Sequence, residues 1–153
     1  MSRAFVKEKE DFTSDLPDRP LSVHPNFVTP DGLAAIERAI NRFEAGHAAA
    51  VAKDNSAAIY ANERELRYWR ARRATARVIQ PSADKSRVHF GSTVTIRRDD
   101  GREQTFRIVG EDEADPHKGT VSHVSPLSRA VIGKSVGEAV EIVGGETKVL
   151  KIE

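Results

Sequence analysis

The sequence predicts an α+β protein: an N-terminal antiparallel helical hairpin, a short coiled coil, followed by an antiparallel β domain with one short helix. Three observations predict it. Apolar residues recur at spacings of three and four through residues 33–50 and again through 59–76. After Pro81 the period switches from helical to alternating. Turn pairs such as Asp100-Gly101 and Gly144-Gly145 then punctuate the alternating part.

Each element has a local cause. Residues 1–28 carry mixed charge and three prolines, Pro17, Pro20 and Pro25, with no periodicity, and read as an extended or disordered arm. The helical hairpin is expected over 29–80. Thr29-Pro30-Asp31 starts its first helix: threonine caps, proline suits the first helical position, and aspartate favours the positive helix end. Its seam reads Leu33, Ile36, Ile40, Phe43, His47 and Ala50, with Gly46 as a weak point. Lys53-Asp54-Asn55-Ser56 breaks the pattern, and a second seam follows at Ile59, Asn62, Leu66, Trp69, Arg73 and Ala76. Folding back at Lys53/Asp54 would set His47 near Ile59 and Phe43 near Glu63.

Residues 86–153 form the expected β domain. Thr93–Arg97 and Gln104–Gly110 make a hairpin, with Phe106 and Ile108 on one face. Thr120–Val124 is a further strand. Ser125-Pro126 starts a short helix over Leu127–Ile132, closed by Gly133. Glu138–Val143 and Thr147–Ile152 make the last hairpin.

Composition narrows the function classes. Hydrophobic residues are 39% and charged residues 31%, as in a soluble globular protein. There is no apolar run of transmembrane length and no apolar signal-peptide core at the start, so no membrane partner and a cytoplasmic address are expected. The absence of cysteine excludes disulfides and thiolate chemistry. A net charge of +1 is not the footprint of a strong DNA binder. Charge is nonetheless uneven: Arg64, Arg67, Arg70, Arg72, Arg73 and Arg77 fall in one stretch with Glu65, and acids gather at 111–115. The stripe reads either as a contact for acidic protein or phosphate, or as a solvated helix face paired to acids such as Glu63 and Glu65.

Certain residues resemble a known family. Val88-His89-Phe90-Gly91-Ser92-Thr93-Val94, Asp100-Gly101 and Phe106-Arg107-Ile108-Val109-Gly110 resemble the first hairpin of the GreA/GreB C-terminal domain. Ser125-Pro126-Leu127-Ser128-Arg129-Ala130-Val131-Ile132-Gly133-Lys134, then Val136-Gly137-Glu138, carries the pattern S-P-L-x-R-A-x-x-G-K-x-x-G-[DE]. The resemblance implies an FKBP-like β domain that docks at the rim of the secondary channel of bacterial RNA polymerase, and a coiled coil that enters the channel. It implies Ser125, Pro126, Arg129, Ile132 and Lys134 as the docking surface. It also implies that nucleic acid is met only within the polymerase complex, with no small-molecule substrate and no enzymatic activity of the chain's own.

In Gre factors two acidic side chains at the coiled-coil tip help hold a magnesium ion in the polymerase active centre. A hard cation needs oxygen ligands at about 2.0–2.1 Å, so carboxylates must reach it. Here the tip is Ala52-Lys53-Asp54-Asn55-Ser56, with one carboxylate. The arms also look shorter, by roughly ten residues each, or about 15 Å. The chain is in this respect similar to Rnk, a short-coiled-coil relative that implies channel binding without transcript cleavage. No cofactor or metal site of the chain's own is expected, and contact with the polymerase magnesium would be indirect. Asp54 has two readings: a carboxylate near that ion, or the cap of the second helix, the commoner role for such a residue.

Other residues are weighed in the same way. The five histidines lack metal-ligand spacing, and no nucleotide-binding or Ser-His-Asp pattern occurs. A prolyl isomerase, suggested by an FKBP-like fold, would need an aromatic-lined pocket. Residues 86–153 offer only Phe90 and Phe106. For Trp69, core packing is the expected role.

Overall fold

The computed structural model describes residues 16–153. The part of the expected arm before Leu16 lies outside the described residues. Contacts divide the described chain into two compact units, one of residues 16–23 and 34–75, the other of 24–33 and 76–153. This differs from a division at 29–80 and 86–153. The reason is a two-stranded parallel ribbon of β1 (Phe27–Val28) and β2 (Arg77–Val78), which draws the segments flanking the helices into the second unit.

In the first unit, α1 (Pro30–Ala52), from Ala34 onward, and α2 (Ser56–Thr75) run antiparallel. Ile36, Ala39, Ile40, Ala50 and Leu66 are buried, and Phe43, His47 and Trp69 are half-buried. The pairing register is one turn away from the expected one: His47 meets Glu63 at 3.1 Å, where Ile59 was expected. The loop runs on through Asn55 before α2 starts, which shifts the fold-back point. Arg72, not Arg73, is buried at the end of α2, because a 3.6-residue helix drifts off a strict heptad. Gly46 marks a close approach: a Cβ there would lie 2.4 Å from Asn62 Oδ1.

The second unit holds a five-stranded sheet. Its strands are β3 (Thr93–Arg98), β4 (Glu103–Val109), β5 (Thr120–Ser122), β6 (Ala139–Ile142) and β7 (Gly145–Ile152), in the order β5-β4-β3-β7-β6. Inward residues alternate as expected: Val94 and Ile96 pair sidewise with Phe106 and Gln104, and Phe106, Ile108, Val140 and Val149 complete the core. A register shift between Thr95 and Ile96 lets β7 turn Ile152, three residues after Val149, back into that core. The one helix is α3 (Pro126–Val131), whose Val131 is fully buried.

The sheet is mixed, not wholly antiparallel. β5 runs parallel to β4, pairing Ile108 with Val121. The connection over 110–119 contains two 3₁₀ turns, Glu111–Glu113 and Pro116–Lys118, and it returns the chain to the level of Arg107, so that β5 runs beside the last three residues of β4. Alternation alone does not distinguish parallel from antiparallel partners. Phe106 lies in the core, and the Phe90 ring packs at 6.1 Å from Phe27 and 5.5 Å from His123. Both phenylalanines that bear on the isomerase question are therefore packing residues.

Candidate functional site

The segment 125–134 is built outward from its cap. Ser125 Oγ accepts the Ser128 N–H at 3.2 Å, and Pro126 follows at the first helical position, where no N–H is needed. Ser128 and Val131 are fully buried, and Leu127 and Ala130 pack against the core. After the helix, Gly133 has a φ of 84°, which lets its N–H reach Val88 O at 2.8 Å while Lys134 O accepts from Val88 N at 2.9 Å. With its inner face so held, α3 turns Pro126, Arg129 and Ile132 to solvent. Ile132 is 39% exposed, so it does not fill the core, and Val136 nearby is 55% exposed. Ser125 and Lys134 are half-buried, the first used as a cap and the second bracketing Val88 with its backbone.

The hairpin tip is built differently. Asp54 N donates to Val51 O at 3.1 Å and Asn55 N to Ala50 O at 3.0 Å, with Asp54 at a φ of 50°. These two bonds around one left-handed residue are a Schellman closure of α1. The cap of α2 is Asn55, whose Oδ1 accepts from Ala58 N at 3.2 Å. Asp54 therefore ends the first helix and does not cap the second, which corrects that reading. Its exposed carboxylate sits beside Lys53. Among the described residues no group of three or more His, Asp or Glu is placed to hold a metal ion.

The base of the hairpin contains a residue that sequence reasoning missed. Thr29 caps α1 as expected: its Oγ1 accepts from Gly32 N at 3.0 Å. The reciprocal carboxylate of a capping box would stand at position 32, which is glycine. Glu113 supplies it from the β domain's acidic run. Its carboxylate accepts from Thr29 N at 2.9 Å, from Thr29 Oγ1, and from Gly110 N at 3.0 Å. A Cβ on Gly32 would come within 2.2 Å of that carboxyl carbon, so the glycine makes room for it. All four residues belong to the second unit.

The arginine stripe is extensively paired within the chain. Arg70 meets Glu44 at 3.1 Å, Arg73 meets Glu37 at 3.9 Å, and Arg67 meets Asp18 at 2.7 Å. Arg64 Nε donates to Pro17 O at 2.6 Å. Arg77 lies outside the helix, on β2. Exposed pairs of this kind contribute roughly 0–1 kcal/mol each. The expected partners Glu63 and Glu65 are instead engaged by His47 and Arg19. Tyr68 and Trp69 meet edge to face at 5.0 Å, and Trp69 Nε1 donates to Glu65 at 3.2 Å. Trp69 is thus half-buried, not a core residue.

A helical hairpin followed by a mixed sheet with one capped helix defines an α+β protein, with an exposed arginine and apolar residues on α3 and a single carboxylate at the tip. Residues 83–153 match the family described as Transcription elongation factor, GreA/GreB, C-term. The chain is 47% identical over 78 residues to transcription elongation factor GreA of Alkalilimnicola ehrlichii, covering 48% of this chain and 49% of that protein. It is 42% identical over 93 residues to GreA of Rickettsia typhi, covering 60% and 56%. The first curated relatives are thus matched over about half of their length or less. Among solved structures, GreA factor homolog 1 of Thermus thermophilus overlays with a TM-score of 0.40 at 16% identity, over 85% of this chain and 99% of that one. Residues 83–153 are thus similar to the C-terminal domain of the GreA/GreB transcription elongation factors. No helix among the described residues is long and apolar enough to cross a membrane.

Proposed function

We propose that this chain is a cytoplasmic, non-enzymatic regulator of transcription elongation that binds bacterial RNA polymerase. It docks through Pro126, Arg129 and Ile132, with Ser125 and Lys134 shaping the segment, and it presents the short hairpin at the secondary channel. Nucleic acid is met only inside that complex. The observation that carries this reading is the coincidence of the family's C-terminal domain with an exposed cation and apolar face on α3. Such a mixed patch, an arginine ringed by apolar residues, suits a protein interface.

One observation favours a second feature of the role. The tip holds a single carboxylate, held in a left-handed turn beside a lysine. Half of a donor pair is a poor fit to a shared magnesium ion. The chain on this reading occupies the channel without stimulating transcript cleavage.

The test is binding to purified polymerase followed by RNA length in backtracked complexes. Wild type binds, and Arg129→Glu weakens affinity about ten-fold or more. Unchanged affinity in that variant removes the assigned surface, and no binding by wild type removes the proposal. RNA length stays constant on the non-cleaving reading. Shortening that Asp54→Ala abolishes would return the tip to a cleavage role.

A further inference from the structure

Residues 16–23 contain no regular element, yet three consecutive ones are held on α2. The Pro17 carbonyl accepts from Arg64, the Asp18 carboxylate from Arg67, and the Arg19 guanidinium reaches Glu65 at 2.8 Å while lying 3.7 Å over the Tyr68 ring. The four helix residues fall within a little more than one turn, so they form one strip that reads an extended peptide. Arg70 and Arg73 meet acids of α1, whereas the arm meets Arg64 and Arg67.

The attachment is electrostatic. Leu16 and Leu21 remain 53% and 52% exposed and Val23 94%, so little apolar surface holds the segment down. The Asp18–Arg67 pair is exposed and the Arg19–Glu65 pair half-buried, and salt weakens such pairs and lets like ligands compete for them. The strip also has a definite chemistry. Two arginines take a carbonyl and a carboxylate, and one residue away Glu65 and Tyr68 take a cation. Phosphate would suit the arginines but be repelled by Glu65, whereas a peptide with an acidic residue followed by a basic one satisfies every group.

We propose that Pro17–Arg19 is a detachable strap covering a peptide-binding strip of α2, formed by Arg64, Glu65, Arg67 and Tyr68, that takes an extended acidic–basic segment of a partner protein once the strap is off. The strip shares no residue with α3, and its test needs no polymerase, so it stands or falls independently of the docking proposal.

Trp69 is the single tryptophan, and its indole N–H bonds to the same Glu65 that Arg19 engages. Its emission therefore reports the strap in the full-length chain. In wild type, raising NaCl to about 0.5 M, which shortens the screening length to a few ångströms, increases iodide quenching of Trp69. Asp18→Lys, and independently Arg19→Ala, show that higher quenching already at low salt, with helix circular dichroism unchanged. A labelled synthetic peptide of residues 16–23 binds Asp18→Lys about ten-fold tighter than wild type, because the tethered competitor has lost its contact with Arg67. Adding Arg67→Asp abolishes that binding. Quenching that ignores both salt and the strap variants overturns the proposal. So does equal peptide affinity in wild type and Asp18→Lys. Tighter binding of a single-stranded oligonucleotide than of the peptide overturns the partner class.

Discussion

The two ends of the hairpin solve one problem with different resources. At the base, the start of α1 is closed by Thr29 together with a carboxylate 84 residues away, and Thr29 is 1% exposed. At the tip, the end of α1 and the start of α2 are closed by Asp54 and Asn55 alone, both exposed. Free N–H groups at a helix start need acceptors at either place. Where they are buried, losing the acceptor strands donors away from water. Where they are exposed, water substitutes. The comparison teaches that the base is tied to the rest of its unit, whereas the tip is locally determined and free to vary its chemistry.

The sharpest way to break this contrast is Glu113→Ala. Removing the carboxylate leaves the Thr29 and Gly110 N–H groups without their acceptor. At roughly 1–3 kcal/mol for each stranded donor, the expected loss is about 3 kcal/mol. Thermal unfolding would move down by roughly 6–12 °C for a chain of this size. A shift no larger than that of a surface substitution would mean that the base is as permissive as the tip.

Between base and tip, Gly46→Ala probes the close passage of the helices. Alanine should help by about 1 kcal/mol on propensity alone. Its Cβ would meet Asn62, so the single variant is expected to gain nothing or lose stability. In an Asn62→Ala background the gain should return, giving a coupling on the order of 1 kcal/mol by urea denaturation. Additive behaviour would show that the helices can part freely there.

The smallest effect is expected at the tip. Asp54→Gly relieves a left-handed residue with a Cβ and should stabilise, by no more than about 1 kcal/mol. A loss of stability would show that the carboxylate has a structural partner. Read together, the three variants give a gradient from base to tip, measured by one denaturation assay.

Much of this was legible in local sequence, for reasons that particular residues make plain. Thr29-Pro30, Ser125-Pro126 and Gly133 form their caps and turns with neighbours a few positions away, and the Val94, Ile96, Phe106 and Ile108 alternation follows from the two-residue period of a strand. The outward placement of Arg129 follows from the helix period once the cap is located. Asp54 and Asn55 were harder to assign. Both residue types suit a cap, and only the bond pattern shows which one ends α1 and which one starts α2. The arm's partners on the arginine stripe were beyond such reading, because Asp18 and Pro17 accept from Arg67 and Arg64 across 49 and 47 positions.

The sequence by itself determined the two long helices, the main strands, their order and the caps at Thr29 and Ser125, because periodicity and capping act over a few residues. Tertiary structure alone decided the parallel seat of β5, the one-turn register of the hairpin, the strap on α2 and the role of Glu113. In each of these the deciding partner is distant along the chain. An unpaired donor or charge shows only that a partner is required, and the fold supplies which one.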